Sequence, residues 1–213
     1  MGTSCGACLD GVVGALGRRS TGVPPPPADC THRCKIVLLG SKGVGKTDIF
    51  SRIVKGILSE KVGPTTSMEL GTRVVPMEDG RYVEVWDSSG DQTASNEERV
   101  IEHCHKAHGA ILVYDFTNQY SVMKVPQWLE VARKKGRTTM TIMLIGNKVD
   151  ILDSAPVGRY DKKATSDRAA AFAKSAGILC AAETSALTGK NVDECFQQLV
   201  KQIYAQGGQQ LSI

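Results

Sequence analysis

A glycine-rich stretch between two apolar segments carries the clearest chemistry of this sequence. It reads, in order, Gly40-Ser41-Lys42-Gly43-Val44-Gly45-Lys46-Thr47, which matches the pattern G-x-x-x-x-G-K-[ST]. In this pattern the glycines let the backbone wrap closely, so that successive N–H groups and the positive end of the following helix point at one anion. We therefore predict a phosphate site in which Lys46 neutralises the β- and γ-phosphates of a nucleotide and Thr47 ligates Mg²⁺.

The segments on either side of this loop support the prediction. Residues 35–39 form an apolar run that is typical of a strand, and Ile49, Phe50 and Ile53 recur at the spacing of a helix. A glycine-rich turn with an incidental lysine is the alternative interpretation, but it does not explain why the stretch lies between a strand and a helix. A nucleoside triphosphate site is therefore the working hypothesis.

Three further polar segments directly follow predicted strands. Asp87-Ser88-Ser89-Gly90 offers a carboxylate, as a Mg²⁺ partner, and a glycine whose backbone amide would sense the γ-phosphate. Asn147-Lys148-Val149-Asp150 follows an apolar run, and residues 184–186 follow another. Because the carboxyl ends of parallel strands share one edge of a sheet, all four polar segments are predicted to line the same crevice.

Asp150 predicts which base this crevice prefers. Its carboxylate can accept two hydrogen bonds from guanine, one from N1–H and one from the exocyclic amino group, in a charge-assisted pair. Adenine has neither donor and would leave the carboxylate without a partner, a mismatch worth on the order of 10⁴-fold discrimination in sites of this type. A guanine nucleotide is therefore the predicted ligand.

Apolar runs alternate with amphipathic segments over most of the chain. Strands are predicted over residues 35–39, 71–76, 81–86, 110–115, 140–145 and 178–182, and helices after Thr47 and over 121–135, 166–176 and 191–204. Residues 91–106 are predicted as a mobile, partly helical connection, and 151–165 as a long polar loop. The pattern predicts an α/β fold with a mostly parallel six-stranded sheet, one antiparallel edge strand in a hairpin turning at Asp79-Gly80, and helices on both faces.

The composition fits one soluble domain. The chain has 213 residues, of which 41% are hydrophobic and 23% charged, and its net charge of +4 is too small to predict binding to nucleic acid. Its seven cysteines are odd in number and scattered, which indicates free thiols in a reducing compartment, the cytoplasm. Two metal sites are disfavoured: a zinc site at Cys30, His32 and Cys34 lacks a second ligand pair, and the histidines at 103, 105 and 108 are better explained by a solvated helix face.

The first 32 residues differ from the rest, because they are rich in glycine and small residues and contain four consecutive prolines. They are predicted to be a flexible extension to a domain of residues 33–206, with 207–213 as a short tail. Gly2 matches a myristoylation pattern in part, since Gly6 stands where Ser or Thr is preferred, and Cys5 or Cys8 could take a second acyl chain. Two chains would hold the protein on the cytosolic face of a membrane, whereas an unmodified leader remains the alternative.

The motifs together resemble one family. Gly40 to Thr47, Pro64-Thr65, Trp86-Asp87, Asn147 to Asp150 and Glu183 to Ala186 resemble the Ras superfamily of small GTPases, and its Rab branch most closely, from about Lys35 to Tyr204. The resemblance implies GTP and GDP binding with Mg²⁺, hydrolysis of GTP to GDP and phosphate, and three kinds of partner: an exchange factor, an activating protein and effectors.

The resemblance also implies roles for individual residues. Thr65 would coordinate Mg²⁺ in the triphosphate state, Asp87 would hold the ion through water, and Gly90 would sense the γ-phosphate. At the base, Lys148 would pack along the ring and the Ala186 amide would meet the guanine oxygen, with Asn147, Ser185 and Leu187 completing the set.

The sequence departs from the Rab pattern near the chemistry. Asp91 stands where a glutamine usually orients the attacking water, and Gln92 comes one position late, so either residue is a candidate for that role. Lys42 replaces a small residue of the phosphate loop, and Leu58 replaces an aromatic that stacks on the base. The aromatic triad that meets Rab effectors keeps only Trp86, with Leu70 and Cys104 at the other positions. Slow intrinsic hydrolysis is therefore expected.

Two functions follow from these observations. The first is a Rab-type switch in vesicle or membrane trafficking that hydrolyses GTP slowly without an activating protein. The second is a hydrolysis-poor GTP-binding scaffold with a fixed partner, because residues 64–70 and 87–90 are also similar to the Rab-like subunit of the intraflagellar transport complex.

Overall fold

The protein is described by a computed structural model over residues 33–58, 69–74, 82–88, 94–105, 107–156 and 158–207. Within these ranges the strands are β1 (Arg33–Leu39), β2 (Glu69–Val74), β3 (Tyr82–Asp87), β4 (Gly109–Asp115), β5 (Thr141–Asn147) and β6 (Leu179–Glu183). The helices are α1 (Lys46–Lys55), α2 (Ala94–Cys104), α3 (Gln119–Met123), α4 (Val125–Lys135), α5 (Val149–Ser154), α6 (Lys162–Ala176) and α7 (Val192–Gly207).

The described strands form one six-stranded sheet in the order β2-β3-β1-β4-β5-β6. Only β2 runs antiparallel, against β3, and the other neighbouring pairs are parallel. This confirms the predicted fold class, including the antiparallel edge strand. β1 lies between β3 and β4, so the chain order reverses at β1 and opens a crevice at the carboxyl ends of these strands.

Two apolar layers cover the sheet, one on each face. Along β1, Ile36 and Leu38 pack with α1 and α7, whereas Val37 and Leu39 pack with α2, α4 and α6. Every residue of β4 and of β5 is buried, as expected for parallel strands covered on both sides. The predicted inward face of the last helix is also confirmed: Val192, Cys195, Phe196, Leu199, Val200 and Ile203 are all buried.

The segment predicted as a mobile, partly helical connection contains a regular helix, so the helical part of this prediction is confirmed. α2 occupies residues 94–104 and buries Val100 and Cys104, while Ile101 packs partly against the same apolar layer. Val100 and Ile101 lie one turn before Cys104, so the three share one face of the helix. Burying that face against the sheet stabilises a helix whose composition is otherwise polar.

Two other helical segments differ from their predictions. The helix expected over 121–135 is divided at Lys124 into α3 and α4, because Pro126 lies in the first turn of α4, where its missing N–H costs nothing. The loop expected over 151–165 instead contains most of α5 and the first turn of α6. Asp161 caps α6 by accepting a hydrogen bond from the Ala164 N–H at 2.9 Å, which is why the helix begins before the predicted Ser166.

The interpretation of His103, His105 and His108 as one solvated helix face was wrong, because His105 alone among these three is exposed. His103 packs against Trp86 with ring centroids 5.0 Å apart. His108 is half-buried, and its Nδ1 accepts a hydrogen bond from the Lys35 backbone N–H at 3.0 Å, which ties the beginning of β4 to β1. Over the residues that the structure describes, no cluster of three metal-ligating side chains occurs.

His108 is expected to make folding stability sensitive to acid. Burial first, then the charges of Arg137 and Lys35, lower the pKa of His108 from 6.5 to about 4. The unfolded chain therefore binds the proton more tightly than the folded chain does, and stability falls as the pH drops from 6.5 towards 4. Since the ring is only half-buried, we expect a loss of about 1–2 kcal/mol. Urea unfolding at pH 7.5 and pH 5 should show this loss in the wild type.

The matched variant for this measurement is His108→Gln, which keeps a hydrogen-bond acceptor but cannot titrate in this range. Its stability should fall less than that of the wild type between the two pH values. Equal pH dependence of the two proteins would show that other groups cause the acid sensitivity.

Candidate functional site

The loop between β1 and α1 adopts backbone conformations that only glycine tolerates. Gly40 and Gly45 have φ values of +149° and +92°. A Cβ atom on Gly40 would lie 2.3 Å from the Val113 carbonyl oxygen, and one on Gly45 would lie 2.3 Å from Asn147 Nδ2. The loop can therefore approach β4 and β5 closely, and the amino end of α1 carries no side-chain cap. Its first N–H groups are available to an anion from outside the helix.

Lys46 is buried inside this loop, with only 5% of its surface exposed. Its ammonium donates hydrogen bonds to the carbonyl oxygens of Gly40, at 2.8 Å, and Ser41, at 3.1 Å. Burial lowers the pKa of Lys46 from 10.5 to about 8, and the nearby charge of Asp87 opposes that shift. A buried cation beside the positive end of a helix makes this pocket strongly attractive to an anion.

Thr47 and Asp87 meet next to this lysine. The Thr47 hydroxyl donates a hydrogen bond to Asp87 Oδ2 at 2.6 Å, and Asp87 is completely buried at the end of β3. Ser88 follows and donates to the Leu38 carbonyl oxygen at 2.5 Å, which holds the ends of β3 and β1 together. A hydroxyl and a carboxylate side by side fit Mg²⁺, which prefers oxygen ligands and is usually held by one or two protein groups plus phosphates.

Asn147 joins the two halves of the crevice. Its Nδ2 donates to the Val44 carbonyl oxygen of the phosphate loop at 3.0 Å, and its Oδ1 accepts from the Ala186 N–H at 3.0 Å. The sequence predicted Asn147 as a contact of the nucleotide. The structure shows that its side chain also fixes the loop after β5, the loop after β6 and the loop after β1 relative to one another.

Lys148 is held from two sides. Its backbone is left-handed, with φ +67°, and its ammonium donates to the Gly43 carbonyl oxygen at 2.6 Å and pairs with Asp115 Oδ2 at 2.8 Å. Asp115 in turn accepts hydrogen bonds from the N–H and hydroxyl of Thr117 at 2.8 and 2.7 Å. Asp115 was not predicted from the sequence, although its position at the end of β4 matches that of Asp87 at the end of β3.

Asp150 and Ser185 form the far end of the crevice. The Ser185 hydroxyl donates to Asp150 Oδ1 at 2.5 Å and accepts from the Thr188 N–H at 3.1 Å. Ser185 is completely buried, whereas Asp150 is partly exposed in the first turn of α5. The serine therefore orients a carboxylate that still faces the crevice edge.

Arg52 is a second residue that the sequence analysis missed. From the last turn of α1 its guanidinium donates to the carbonyl oxygens of Ala186 at 2.7 Å, Leu187 at 2.5 Å and Gly56 at 3.2 Å. Ala186 and Leu187 are more than 130 positions away in the sequence. No local pattern could reveal this contact, which fastens the loop after β6 to the helix that begins at the phosphate loop.

Comparison with known proteins identifies the family. A family model described as the Ras family matches residues 35–205. The chain belongs to the Ras family. Among curated Ras-family relatives, it is 33% identical to the Ras-related protein YPTC6 of Chlamydomonas reinhardtii over 183 residues, covering 84% of this chain and 79% of that protein. It is 35% identical over 169 residues to the probable Ras-related protein Rab-4A of Echinococcus multilocularis, covering 78% and 71%.

A third Ras-family relative is Ras-related protein Rab-19 of Xenopus laevis, which is 32% identical over 174 residues, covering 80% of this chain and 76% of that protein. The sequence identity to each of these three relatives is therefore about one third. This chain is a divergent Rab-like member of the family. Guanine-nucleotide binding follows from that membership, and the predicted family is confirmed.

Most of the predicted site residues come together at one edge of the Ras-family sheet. Leu58, which was expected to replace a base-stacking aromatic and was not itself a predicted site residue, packs against the α1 and α7 apolar layer. The residues at this edge are Gly40, Ser41, Lys42, Gly43, Val44, Gly45, Lys46, Thr47, Asp87, Asn147, Lys148, Asp150, Ser185, Ala186 and Leu187. Predictions for Thr65, Gly90, Asp91 and Gln92, and for Gly2, Cys5 and Cys8, fall outside the described residues. None of the described helices combines the length and apolarity needed to cross a bilayer.

Proposed function

We propose that this protein is a Rab-type switch that binds GTP and GDP with Mg²⁺, hydrolyses GTP slowly, and acts in vesicle or membrane trafficking. One observation carries the proposal. A buried ammonium with a hydroxyl–carboxylate pair lies at one end of the crevice, an oriented carboxylate lies at the other end, and the Asn147 side chain joins them. This arrangement suits a ligand with a polyphosphate at one end and a hydrogen-bonding base at the other.

At the phosphate end, Lys46 and the first N–H groups of α1 would bind the β- and γ-phosphate oxygens. Thr47 and Asp87 would hold Mg²⁺, together with Thr65 in the triphosphate state. The ion, when bound, neutralises negative charge on the phosphate oxygens. The lowered pKa of Lys46 supports this assignment. It shows that the ammonium is poorly solvated with two carbonyl oxygens as its partners, and a charged phosphate in their place would stabilise the ammonium.

At the base end, Asp150 would accept the N1 and exocyclic amino protons of guanine, and the Ala186 amide would donate to the guanine oxygen. Ser185 occupies one Asp150 oxygen and so fixes the carboxylate before the base arrives. Lys148 would cover one face of the ring with its methylene groups, because its ammonium is held by Gly43 and Asp115.

Hydrolysis would use water as the nucleophile, with Asp91 or Gln92 positioning it and the Gly90 amide contacting the γ-phosphate. The usual glutamine is replaced by Asp91, and Lys42 adds a long, exposed side chain to the phosphate loop. Both departures favour slow turnover and a need for an activating protein, which can supply an arginine to the developing charge.

Single-turnover release of phosphate from GTP-loaded protein tests this function. We expect slow release that an activating protein accelerates, and binding partners that differ between the GTP and GDP forms. Phosphate release no faster than the buffer background with saturating candidate activators would instead support the second hypothesis, a GTP-binding scaffold with a fixed partner. Absence of GTP and GDP binding in calorimetry with magnesium would refute both.

Arg52 is expected to control how long the nucleotide stays bound. Arg52→Met removes charged hydrogen bonds that hold the Ala186–Leu187 loop, so GDP should dissociate about 10- to 100-fold faster. Release of a fluorescent GDP analogue measures the effect. The control is Arg133→Met, which removes an exposed arginine that also donates to a helix-end carbonyl, that of Ala176 at 3.0 Å. Equal release from both variants and the wild type would contradict this role.

Membrane attachment is proposed through an acyl chain on Gly2, with a second chain on Cys5 or Cys8. One chain gives only marginal binding and two give stable anchoring. Gly2→Ala should therefore move the protein from the membrane fraction to the cytosolic fraction of cells, while nucleotide binding by the purified variant stays unchanged. An unchanged membrane fraction would remove the acylation hypothesis without affecting the proposed switch.

A further inference from the structure

A cluster of basic side chains covers the edge of the sheet opposite the candidate nucleotide site. The last turn of α4 and the residues after it present Arg133, Lys134, Lys135 and Arg137, all of them exposed. Lys35, near the beginning of β1, adds a fifth cation, which lies 4.7 Å from the centroid of the Trp86 ring. We call these five residues the basic edge.

The charge of the basic edge exceeds what local structure requires. Basic residues in a last helical turn offset a partial negative charge of about half a unit, and the basic edge carries several full charges. Among the residues that the structure describes, the carboxylates closest to it are Glu84, beside Lys35 in the strand register, Glu130, one turn before Lys134, and Glu102, which pairs with Lys135. Within that part of the chain, five cations therefore outnumber three carboxylates.

A cleft of about 550 Å³ opens within the basic edge. Arg133 and Arg137 line it together with the exposed Thr138 and Thr139 and the buried Thr141, whose hydroxyl already donates to Gln206 Oε1 at 3.0 Å. The Arg133 guanidinium is held at the rim by a hydrogen bond to the Ala176 carbonyl oxygen at 3.0 Å. Guanidinium and hydroxyl groups are the donors that phosphate oxygens prefer, and the cleft has room for a phosphorylated headgroup.

β1, the first described strand, begins at this same edge. β1, β4 and β5 are parallel, Ile36 pairs with Gly109, and Gly109 pairs with Thr141, so the three strands begin at the same edge of the sheet, with β4 between β1 and β5. Arg137 lies four residues before β5, and residues 1–32 precede the first residue of β1. The candidate nucleotide site lies at the other ends of these seven-residue strands, roughly 20 Å away.

We propose that the basic edge docks on an anionic lipid bilayer, with headgroup phosphates in its cleft and the nucleotide crevice facing away from the membrane. The proposed acyl anchor would keep the domain close to the surface, since Gly2 lies only 31 residues before Arg33, the first residue of β1. Each cation that reaches an anionic surface raises membrane partitioning about fivefold. Docking would thus orient a domain that the anchor alone leaves free to rotate.

Vesicle co-sedimentation of the full, unacylated chain tests this docking independently of the anchor. The vesicles contain phosphatidylcholine alone or with about 30% phosphatidylserine, at low and at physiological salt. We expect binding only to the phosphatidylserine vesicles and weakening with salt. The double variant Lys134→Gln/Arg137→Gln should partition about 25-fold less, on the basis of two lost cations.

The matched control is Lys163→Gln/Lys190→Gln, which removes the same charge from exposed positions near the carboxyl edge of the sheet. Equal losses for the two double variants would overturn the proposal in favour of bulk charge, and so would equal binding to both kinds of vesicle. Soluble polyglutamate that binds as tightly as the vesicles would overturn it in favour of an acidic protein partner. GDP binding, measured on the same variants, should not change. A protein that does not bind GDP would contradict the proposed nucleotide site, and that result is independent of whether the basic edge binds vesicles.

Discussion

Replacing Asp150 with Asn is expected to reverse the base preference of this protein from guanine to xanthine nucleotides. The carboxylate would no longer accept two protons from guanine, and the new amide would place a donor against the amino group instead. Sites that select by buried hydrogen bonds discriminate by on the order of 10⁴-fold, so GDP affinity should fall by two to four orders of magnitude. The amide could donate to the second carbonyl of xanthine, which restores binding.

The structure predicts that this variant folds normally. Ser185 donates to Asp150 Oδ1 at 2.5 Å, and the side-chain oxygen of Asn can accept the same hydrogen bond. Competition of GDP and xanthosine diphosphate against a labelled nucleotide measures the reversal. Asp153→Asn is the control, because it removes an equal charge from an exposed residue of α5 whose partner, Lys190, is 3.8 Å away. Unchanged GDP affinity in Asp150→Asn would reject Asp150 as the base contact.

Replacing Lys46 with Met is expected to lower GTP affinity by about 10²- to 10⁴-fold. Two charged hydrogen bonds to phosphate oxygens would be lost, each worth about 1.5–3 kcal/mol. The fold should survive, because the wild-type protein already buries this ammonium at a cost that its lowered pKa shows. Lys55→Met, an exposed change at the other end of α1, is the matched control and should leave GTP affinity unchanged.

The same lysine should make nucleotide affinity depend on pH. The pKa of Lys46 is about 8 in the free protein, and bound phosphates favour the charged form and raise it. Binding above pH 8 therefore takes up a proton, so affinity should fall by up to tenfold per unit as the pH rises from 8 to 9, and stay level below 7. Lys46→Met should lack this dependence. Equal pH profiles for the variant and the wild type would show that a group other than Lys46 causes the pH dependence of nucleotide affinity.

The fold was predictable because apolar periodicity depends on burial alone. Continuous apolar runs such as 110–115 and 140–145 lie in strands buried on both faces, and the spacing in α7 indicated its inward face. The bounds and packing of helices were less predictable where few apolar residues do the packing. α2 rests on Val100, Ile101 and Cys104, and the start of α6 depends on one capping contact from Asp161.

The site was predictable to the extent that its residues follow strands. The sequence located the phosphate loop, Asp87, Asn147 to Asp150 and Ser185 to Leu187 at one edge, and the fold brings them there. It did not reveal Arg52 or Asp115, because their partners are set by the path of the chain and not by spacing. The roles assigned to Thr65, Gly90, Asp91 and Gln92 remain predictions.

The Asn147 side chain has a consequence for how the ligand is recognised. It contacts the loop that would hold the phosphates and the loop that would hold the base, at 3.0 Å each. Ordering either loop therefore lowers the entropic cost of ordering the other. Guanosine and pyrophosphate offered as separate fragments should each bind weakly and each strengthen the binding of the other, so the intact nucleotide benefits from positive cooperativity within a single pocket.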